Sequence, residues 1–567
     1  MQPMPRPVLP ALALVTLVTL VTLLGACSKP AAVAPPAATT LAPTIAPTTA
    51  PGATPPDPTP PAAAAAAGVA WIHASNDAEV DAAFARARAE AKSVFVYWGA
   101  AWCPPCNQVK ATIFNRQDFI ERSRVFVPVY VDGDSPGAQK LGARFRVSGY
   151  PTMVLFSPQG IELTRLPGEV EAARYTQVLT LGMNAQRPVK ELLARVRSGG
   201  RGLSANDWRL LAFYSWDTDA QQLVPKGGVP ALLAQLAAAC PAEPAEIATR
   251  LRLQALAAAD PKARTRPDPA ARALLLGLLA NAPAARAQMD VLTNDAADIV
   301  RALSAPGTPQ RAELLAGFDA ALKRFEADTT LSRADRMAAL IAQVDLAQID
   351  ARRAEGAAEA RPPQVRLPDA LLADIRAQTA RADREITDGY ERQAVITAAA
   401  YLLEQAGLGD ESDALLKANL TRSHSPYYLM SELASNAKAR GDTAAALRWY
   451  EQAYDASAGP ATRLQWGASY VNALVELAPN DAQRIETAAH RVLGEAAAQP
   501  DAFYERSGRS LQRVGSALHR WNRHAAHAAA IRRLQAQLDG MCGALAAADP
   551  ARATCRALLQ PAPPRAV

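Results

Sequence analysis

SVFVYWGAAWCPPC, residues 93–106, is the most informative segment of this chain. Val94 to Trp98 are β-branched or aromatic, and such a short apolar run is typical of a strand that is buried on both faces. Gly99 begins a turn, and a helical pattern resumes directly after Cys106. Two cysteines separated by two residues, at a strand–turn–helix junction, predict redox chemistry.

The expected chemistry follows from the position of each sulfur. A thiolate, not a thiol, attacks disulfides. Because free N–H groups and the helix dipole favour negative charge at the start of a helix, we expect the pKa of Cys103 to fall from ~8.5 toward ~7 or lower. Cys106, one turn later, is expected to be more buried and to resolve the mixed disulfide. Pro104 and Pro105 suit a first helical turn, where no N–H is needed.

The segment Trp102–Cys106 resembles the active-site signature of the thioredoxin superfamily, and SGYPT, residues 148–152, resembles its second signature. The resemblance implies that Pro151 is cis and packs beside the cysteine pair. It also implies that Trp102, Tyr150 and Pro151 contact the substrate, with the Tyr150 backbone receiving an extended peptide as an added strand. The resemblance covers roughly residues 70–190 and is greatest to the soluble thioredoxin-like domains of envelope disulfide reductases.

One position departs from the family pattern. Many thioredoxins carry a buried Asp at the position that Tyr97 holds here, six residues before Cys103. That carboxylate is thought to help deprotonate the second cysteine. The proton must therefore move by another route, through water or a neighbouring Glu, and the dithiol chemistry itself is retained.

Length and charge set the domain organisation. The chain has 567 residues, too many for one core, and a formal net charge of +6 without a basic block typical of nucleic-acid binding. We predict a signal peptide at 1–27, a Pro/Ala/Thr-rich disordered tether at 28–69, a thioredoxin-like domain at 70–190 and a helical region at 191–567. The fold class is therefore an α/β thioredoxin fold followed by a large all-α region.

The signal peptide ends in LGAC, residues 24–27, which resembles a bacterial lipobox. By that resemblance Cys27 receives a lipid and anchors the protein on the periplasmic side of the cell envelope. Ser28 favours the outer membrane over the inner one. The alternative is an ordinary signal peptide in which Cys27 is incidental. A permanent membrane span is disfavoured because Pro10 and Gly25 bracket fewer than the ~20 apolar residues required.

From about residue 186 strands disappear and Ala/Leu/Arg periodicity takes over. Pro and Gly breaks delimit helices of ordinary length, which favours an α-solenoid. The stretch from Leu433 to Ala453 resembles a tetratricopeptide repeat, although the ~34-residue period is not regular. Such a region binds a client protein, or else it is a helical domain packed only on itself.

The six cysteines indicate an oxidising compartment. Beside Cys27 and the redox pair, Cys542 and Cys555 are predicted to form a structural disulfide across a helical turn, the alternative being two buried thiols. Cys240 is left over as a buried thiol. No cofactor and no metal site is predicted: Asp132 with Asp134 are interpreted as a solvated loop, and His519, His524 and His527 as a solvated helix face.

The main functional hypothesis is a thiol–disulfide oxidoreductase, favoured in the reductive direction, that acts on protein disulfides with Cys103 and Cys106 as catalytic residues. It requires a redox partner protein. The alternative is a helical interaction scaffold whose thioredoxin-like domain binds peptides without catalysis. Reduction of apocytochrome thiols is a third possibility that rests on fold analogy alone.

Overall fold

The computed structural model describes residues 68–560, except 169, 220, 260–267 and 351–364. The predicted signal peptide with Cys27, and the predicted tether up to residue 67, lie outside the described residues.

A five-stranded mixed sheet forms the first part of the described chain. Its strands are β1 (Ile72–His73), β2 (Ser93–Gly99), β3 (Phe126–Asp132), β4 (Thr152–Phe156) and β5 (Glu162–Leu166), in the spatial order β1-β3-β2-β4-β5. The central strand β2 runs parallel to β3 and antiparallel to β4. Val94, Val96 and Trp98 enter the core on one face of the sheet, and Phe95 and Tyr97 enter the core on the other. The prediction of a strand buried on both faces is therefore confirmed.

Five helices accompany the sheet: α1 (Asp77–Ala89), α2 (Pro104–Val109), α3 (Gln117–Arg122), α4 (Ala138–Arg144) and α5 (Ala172–Met183). Asn76 caps α1, since its side chain accepts a hydrogen bond from the Glu79 amide at 3.1 Å. Directly after α2 the chain continues as a π-helical turn over Lys110–Phe114.

The remaining described residues form a helical array. Its helices are α6 (Val189–Arg197), α7 (Ala205–Ala212), α8 (Val229–Ala239), α9 (Ala245–Ala257), α10 (Pro269–Ala280), α11 (Ala282–Arg286), α12 (Met289–Asn294), α13 (Ala296–Leu303), α14 (Pro309–Ala327), α15 (Arg333–Ala347), α16 (Asp369–Glu385), α17 (Gly389–Gln405), α18 (Gly409–Asn419), α19 (Pro426–Ala439), α20 (Thr443–Ala456), α21 (Pro460–Leu477), α22 (Ala482–Ala497), α23 (Glu505–Trp521), α24 (Ala528–Ala544) and α25 (Ala551–Ala557). A thioredoxin-like α/β domain followed by a large all-helical region is the predicted fold class, and it is confirmed.

The array contacts the α/β domain at two separate places. Its first helices lie against the edge strand and the last helix of the domain, with α6 next to β5 and α7 next to α5. Its later helices return to the domain, where α17 packs on α2 and α23 packs on α4. Hydrophobic residues of both parts join in one continuous core, which runs from Phe95 in β2 to Trp466 in α21.

Helix pairs joined by short turns make up much of the array. In the predicted repeat, α19 and α20 are joined at Gly441, whose φ of 77° is readily adopted by glycine. Leu433 and Ala446 are buried between helices. Membership of the tetratricopeptide class stays a prediction.

The prediction that His524 and His527 share one helical face is wrong, because α23 ends at Trp521 and His524 has a φ of 58°. His527 instead stacks on the Trp521 ring at 3.9 Å. Among the helices of residues 68–560 that are described, none has the length and apolar character needed to cross a membrane.

Candidate active site

The two redox cysteines lie at the junction of β2 and α2. Cys103 is the N-cap of α2, with an extended backbone (φ −69°, ψ 111°), and its Sγ accepts a hydrogen bond from the Cys106 amide at 3.2 Å. The two sulfurs form a disulfide, with the Cα atoms 5.2 Å apart. The first sulfur therefore lies at the amino end of a helix, where a negative charge on sulfur is favoured.

The turn before the helix is held by a buried amide side chain. Asn107 Nδ2 donates to the carbonyl oxygens of Ala101 and Cys103, at 2.8 and 2.9 Å. These two bonds fix the backbone on either side of Trp102. Asn107 was not among the predicted site residues, and its position directly after the second cysteine is the signal that could have indicated it.

The second sequence signature lies next to the first, at the same end of the sheet. The peptide bond between Tyr150 and Pro151 is cis, as the family resemblance implies. Because β2 and β4 are antiparallel, Thr152 lies opposite Trp98, at the carboxyl end of β2. The guanidinium carbon of Arg506 lies 5.0 Å from the Trp102 ring centre and 5.3 Å from that of Tyr150, so the two predicted substrate-contacting rings flank one side chain.

Tyr97 occupies the position of the family's buried Asp. Its hydroxyl oxygen lies 3.5 Å from the Cys106 carbonyl oxygen, and burial raises the pKa of the phenol well above its usual value. This group is therefore neutral over the physiological pH range. A half-buried carboxyl group near this end of the sheet is that of Asp132, in register with Gly99, and burial raises its pKa. Burial likewise lowers the pKa of Lys110, which lies one turn after Cys106.

Side chains of the helical array surround Trp102. Its ring stacks on Tyr428 at 6.0 Å and meets Trp466 edge-on at 5.1 Å, in addition to its contact with Arg506. As a result Trp102 is 6 % exposed and Cys103 only 1 % exposed. No sequence pattern predicted these contacts, because the partners lie more than 300 residues away along the chain.

The interpretation of the loop after β3 as solvated is wrong for Asp134. Its carboxylate accepts hydrogen bonds from the Thr462 amide (2.7 Å), the Thr462 hydroxyl (2.6 Å) and Arg506 Nη2 (2.8 Å), all in the helical array. Within the described residues no cluster of three or more His, Cys, Asp or Glu side chains could hold a metal ion.

The remaining cysteines lie far from this junction in sequence. Cys542 in α24 and Cys555 in α25 are joined by a disulfide, with Cα atoms 5.7 Å apart. Cys240 is a buried free thiol at the end of α8, and burial raises its pKa.

Comparison with known proteins agrees with this architecture. Residues 80–182 match the family model of the thioredoxin-like domain. The chain is 30 % identical over 110 residues to the thiol:disulfide interchange protein DsbD 2 of Pseudomonas aeruginosa, and 29 % identical over 112 residues to the thiol:disulfide interchange protein DsbD of Pseudomonas fluorescens. Each match covers 19 % of this chain and 19 % of the relative, so the chain spans about a fifth of the length of these relatives. The chain therefore contains a thioredoxin-like domain with a CXXC cysteine pair and is similar there to thiol–disulfide interchange proteins.

Proposed function

We propose that this protein is a thiol–disulfide oxidoreductase that acts on protein disulfides in the bacterial cell envelope, in the reductive direction. The observation that carries the proposal is the Cys103–Cys106 pair. Cys103 is the N-cap of α2, and its sulfur accepts a hydrogen bond from the Cys106 amide. The similarity of this domain to thiol:disulfide interchange proteins supports it.

The proposed reaction uses the two sulfurs in sequence. In the reduced enzyme the Cys103 thiolate attacks one sulfur of a substrate disulfide, forms a mixed disulfide and releases the other substrate sulfur as a thiolate, which takes up a proton. The Cys106 thiolate then attacks Cys103 Sγ and releases the second substrate thiol. The substrate gains two electrons, the enzyme becomes the Cys103–Cys106 disulfide, and a dithiol redox partner must reduce it again.

The location is part of the same proposal. The similarity of residues 24–27 to a lipobox supports lipidation at Cys27, and the Pro/Ala/Thr-rich stretch would tether the folded part to the periplasmic face of a membrane, by preference the outer one. Metabolic labelling with a palmitate analogue tests this, since Cys27→Ala should remove the label. Label that persists in this variant would refute the anchor.

Cysteine variants test the activity. Cys103→Ser should abolish reduction of insulin disulfides, whereas Cys240→Ser, the matched control at a cysteine outside the site, should retain it. Cys106→Ser should accumulate a mixed disulfide with insulin, visible on a non-reducing gel. A Cys103→Ser variant that reduces insulin at the same measurable rate as an active wild-type protein would refute the proposal and favour the scaffold alternative.

A redox titration tests the direction. The thiol–disulfide equilibrium of Cys103–Cys106 can be measured in glutathione and dithiothreitol buffers. A potential near ~−270 mV is expected for a reductase, and one near ~−120 mV would identify an oxidant instead.

A further inference from the structure

The helical array returns to the α/β domain at the end of the sheet where the carboxyl end of β2 leads into the redox cysteines. A set of its side chains, which we call the cover face, contacts this end of the sheet: Gln393, His424, Tyr428, Trp466, Arg506 and Arg509. They come from α17, α19, α21, α23 and the turn before α19. The predicted substrate-contacting residues Trp102 and Tyr150 therefore already have partners within the same chain.

The cover face engages the backbone of the active-site turn as well as its rings. His424 Nε2 lies 2.9 Å from the Ala101 carbonyl oxygen, and Gln393 Nε2 in α17 lies 3.4 Å from that of Trp102. Arg509 donates to the Ser148 carbonyl oxygen at 2.6 Å, three residues before the cis proline. Backbone groups that a substrate peptide would approach on both sides of the site thus face helices of the array.

A polar cluster beside the rings joins the two parts. Asp134 accepts three hydrogen bonds from Thr462 and Arg506, as described above. The Arg506 amide donates to Gln139 Oε1 at 2.9 Å, and the Gln139 amide donates to the Asp501 carboxylate at 2.9 Å. Asp134 and Gln139 belong to the α/β domain, and their partners belong to the array. Hydrogen bonds with a charged partner are stronger than neutral ones, so this cluster is a strong polar link between the two parts.

Among the described residues, this arrangement leaves almost no exposed surface on the two cysteines. Thiol–disulfide exchange requires a third sulfur to reach the one under attack, and its rate depends on access. Cys103 is 1 % exposed and Cys106 is fully buried. Even a small dithiol cannot reach Cys103 unless the cover face moves.

From these contacts we propose that the cover face is an intramolecular inhibitor of the redox site, which occupies the surface that a protein disulfide needs. Substrates react only after the cover face has separated from Trp102 and the Asp134 cluster has opened. The biological meaning of this control rests on the proposed function, but the closure itself is a property of the structure. The helical array would then decide which client gains access, because a client that binds the array can displace the cover face.

The rate at which dithiothreitol reduces the Cys103–Cys106 disulfide in the full chain tests this proposal. Samples are quenched in acid, alkylated and measured by mass spectrometry, with an oxidised peptide of residues 100–108 as the uncovered reference. Wild-type protein should be reduced at least about tenfold more slowly than the peptide. Asp134→Ala should accelerate reduction about tenfold, which corresponds to ~1.4 kcal/mol.

Asp455→Ala is the matched control. It removes an ion pair with Arg491 that joins α20 to α22, both within the array, and should leave the rate within about twofold of wild type. Arg509→Ala provides a second variant at the cover if Asp134→Ala does not fold, and it should also accelerate reduction. In a Cys106→Ser background the same order should hold for alkylation of Cys103, which does not depend on the stability of a disulfide.

The outcomes are distinct. A wild-type rate equal to that of the peptide would overturn the proposal, as would folded Asp134→Ala and Arg509→Ala variants that both react at the wild-type rate. Faster reduction of Asp134→Ala supports the closure. If this variant still failed to reduce insulin, the proposed oxidoreductase function would be refuted while the closure stood.

Discussion

Arg165 in β5 is the largest charged side chain that the structure buries completely. Its guanidinium pairs with Glu162 at 2.9 Å and donates to the carbonyl oxygens of Phe145 (2.8 Å), Arg146 (3.2 Å) and Thr218. These partners come from β5, from the segment after α4 and from the segment after α7. One side chain therefore ties the sheet to the first helices of the array.

Replacement of Arg165 by Met keeps much of the apolar volume and removes all of these bonds. It leaves a mostly buried carboxylate, 19 % exposed, and several carbonyl groups without their partner. Loss of one member of a buried ion pair costs about 3–5 kcal/mol, and we expect Arg165→Met to lower the free energy of unfolding by that amount. The double variant Arg165→Met/Glu162→Gln should recover at least ~1 kcal/mol, since the carboxylate charge no longer remains unpaired.

Urea unfolding followed by tryptophan fluorescence and far-ultraviolet circular dichroism measures this loss. Arg195→Met is the matched control, because Arg195 forms an exposed pair with Glu191 in α6, and its loss should cost no more than about 0.5 kcal/mol. A loss below ~1 kcal/mol for Arg165→Met, or no recovery in the double variant, would refute this account of the buried arginine.

Three further changes test other parts of the structure. The double variant Cys542→Ser/Cys555→Ser removes a disulfide between residues 13 apart in sequence, and should lower the free energy of unfolding by about 3 kcal/mol. Urea unfolding measures this loss, and an unchanged midpoint would show that the bond is dispensable. Burial, reinforced by Asp290 and Asp298, raises the pKa of Asp295 from 3.8 to about 7. Because its pKa is raised in the folded state, the contribution of Asp295 to stability is fully present below pH ~4 and is lost as the pH rises through ~7, by at most about 4 kcal/mol. Asp295→Asn should flatten this part of the pH profile in thermal unfolding, and superimposable profiles would contradict the assignment. A Cβ on Gly515 would lie 2.2 Å from the Leu558 carbonyl oxygen, so Gly515→Ala should push α25 away from α23 and cost about 1–3 kcal/mol of stability. Calorimetry measures this cost, and Gly540→Ala is the control because its added Cβ meets open space.

Short-range sequence patterns were enough to predict the local architecture of the redox domain. The apolar run of residues 94–98 is short and is typical of a strand buried on both faces, and β2 is such a strand, at the centre of the sheet. Pro104 and Pro105 lack amide hydrogens and have a fixed φ, which suits the first turn of a helix, so the position of Cys103 at its start was also predictable. Both inferences rest on interactions between neighbours in the chain.

The side chains that pack over the cysteines could be identified only from the three-dimensional structure. The sequence around Trp102 does not indicate whether its ring contacts solvent, a substrate or another part of the chain. Its partner Trp466 lies 364 positions further along the chain. Asp134 likewise lies in a sequence that is typical of a solvated turn. The sequence around Arg165 is that of an ordinary strand and does not indicate that its side chain is buried. Helical periodicity indicates which side of a helix is apolar but not which surface that side will meet, because packing depends on how all the helices of the array are placed together.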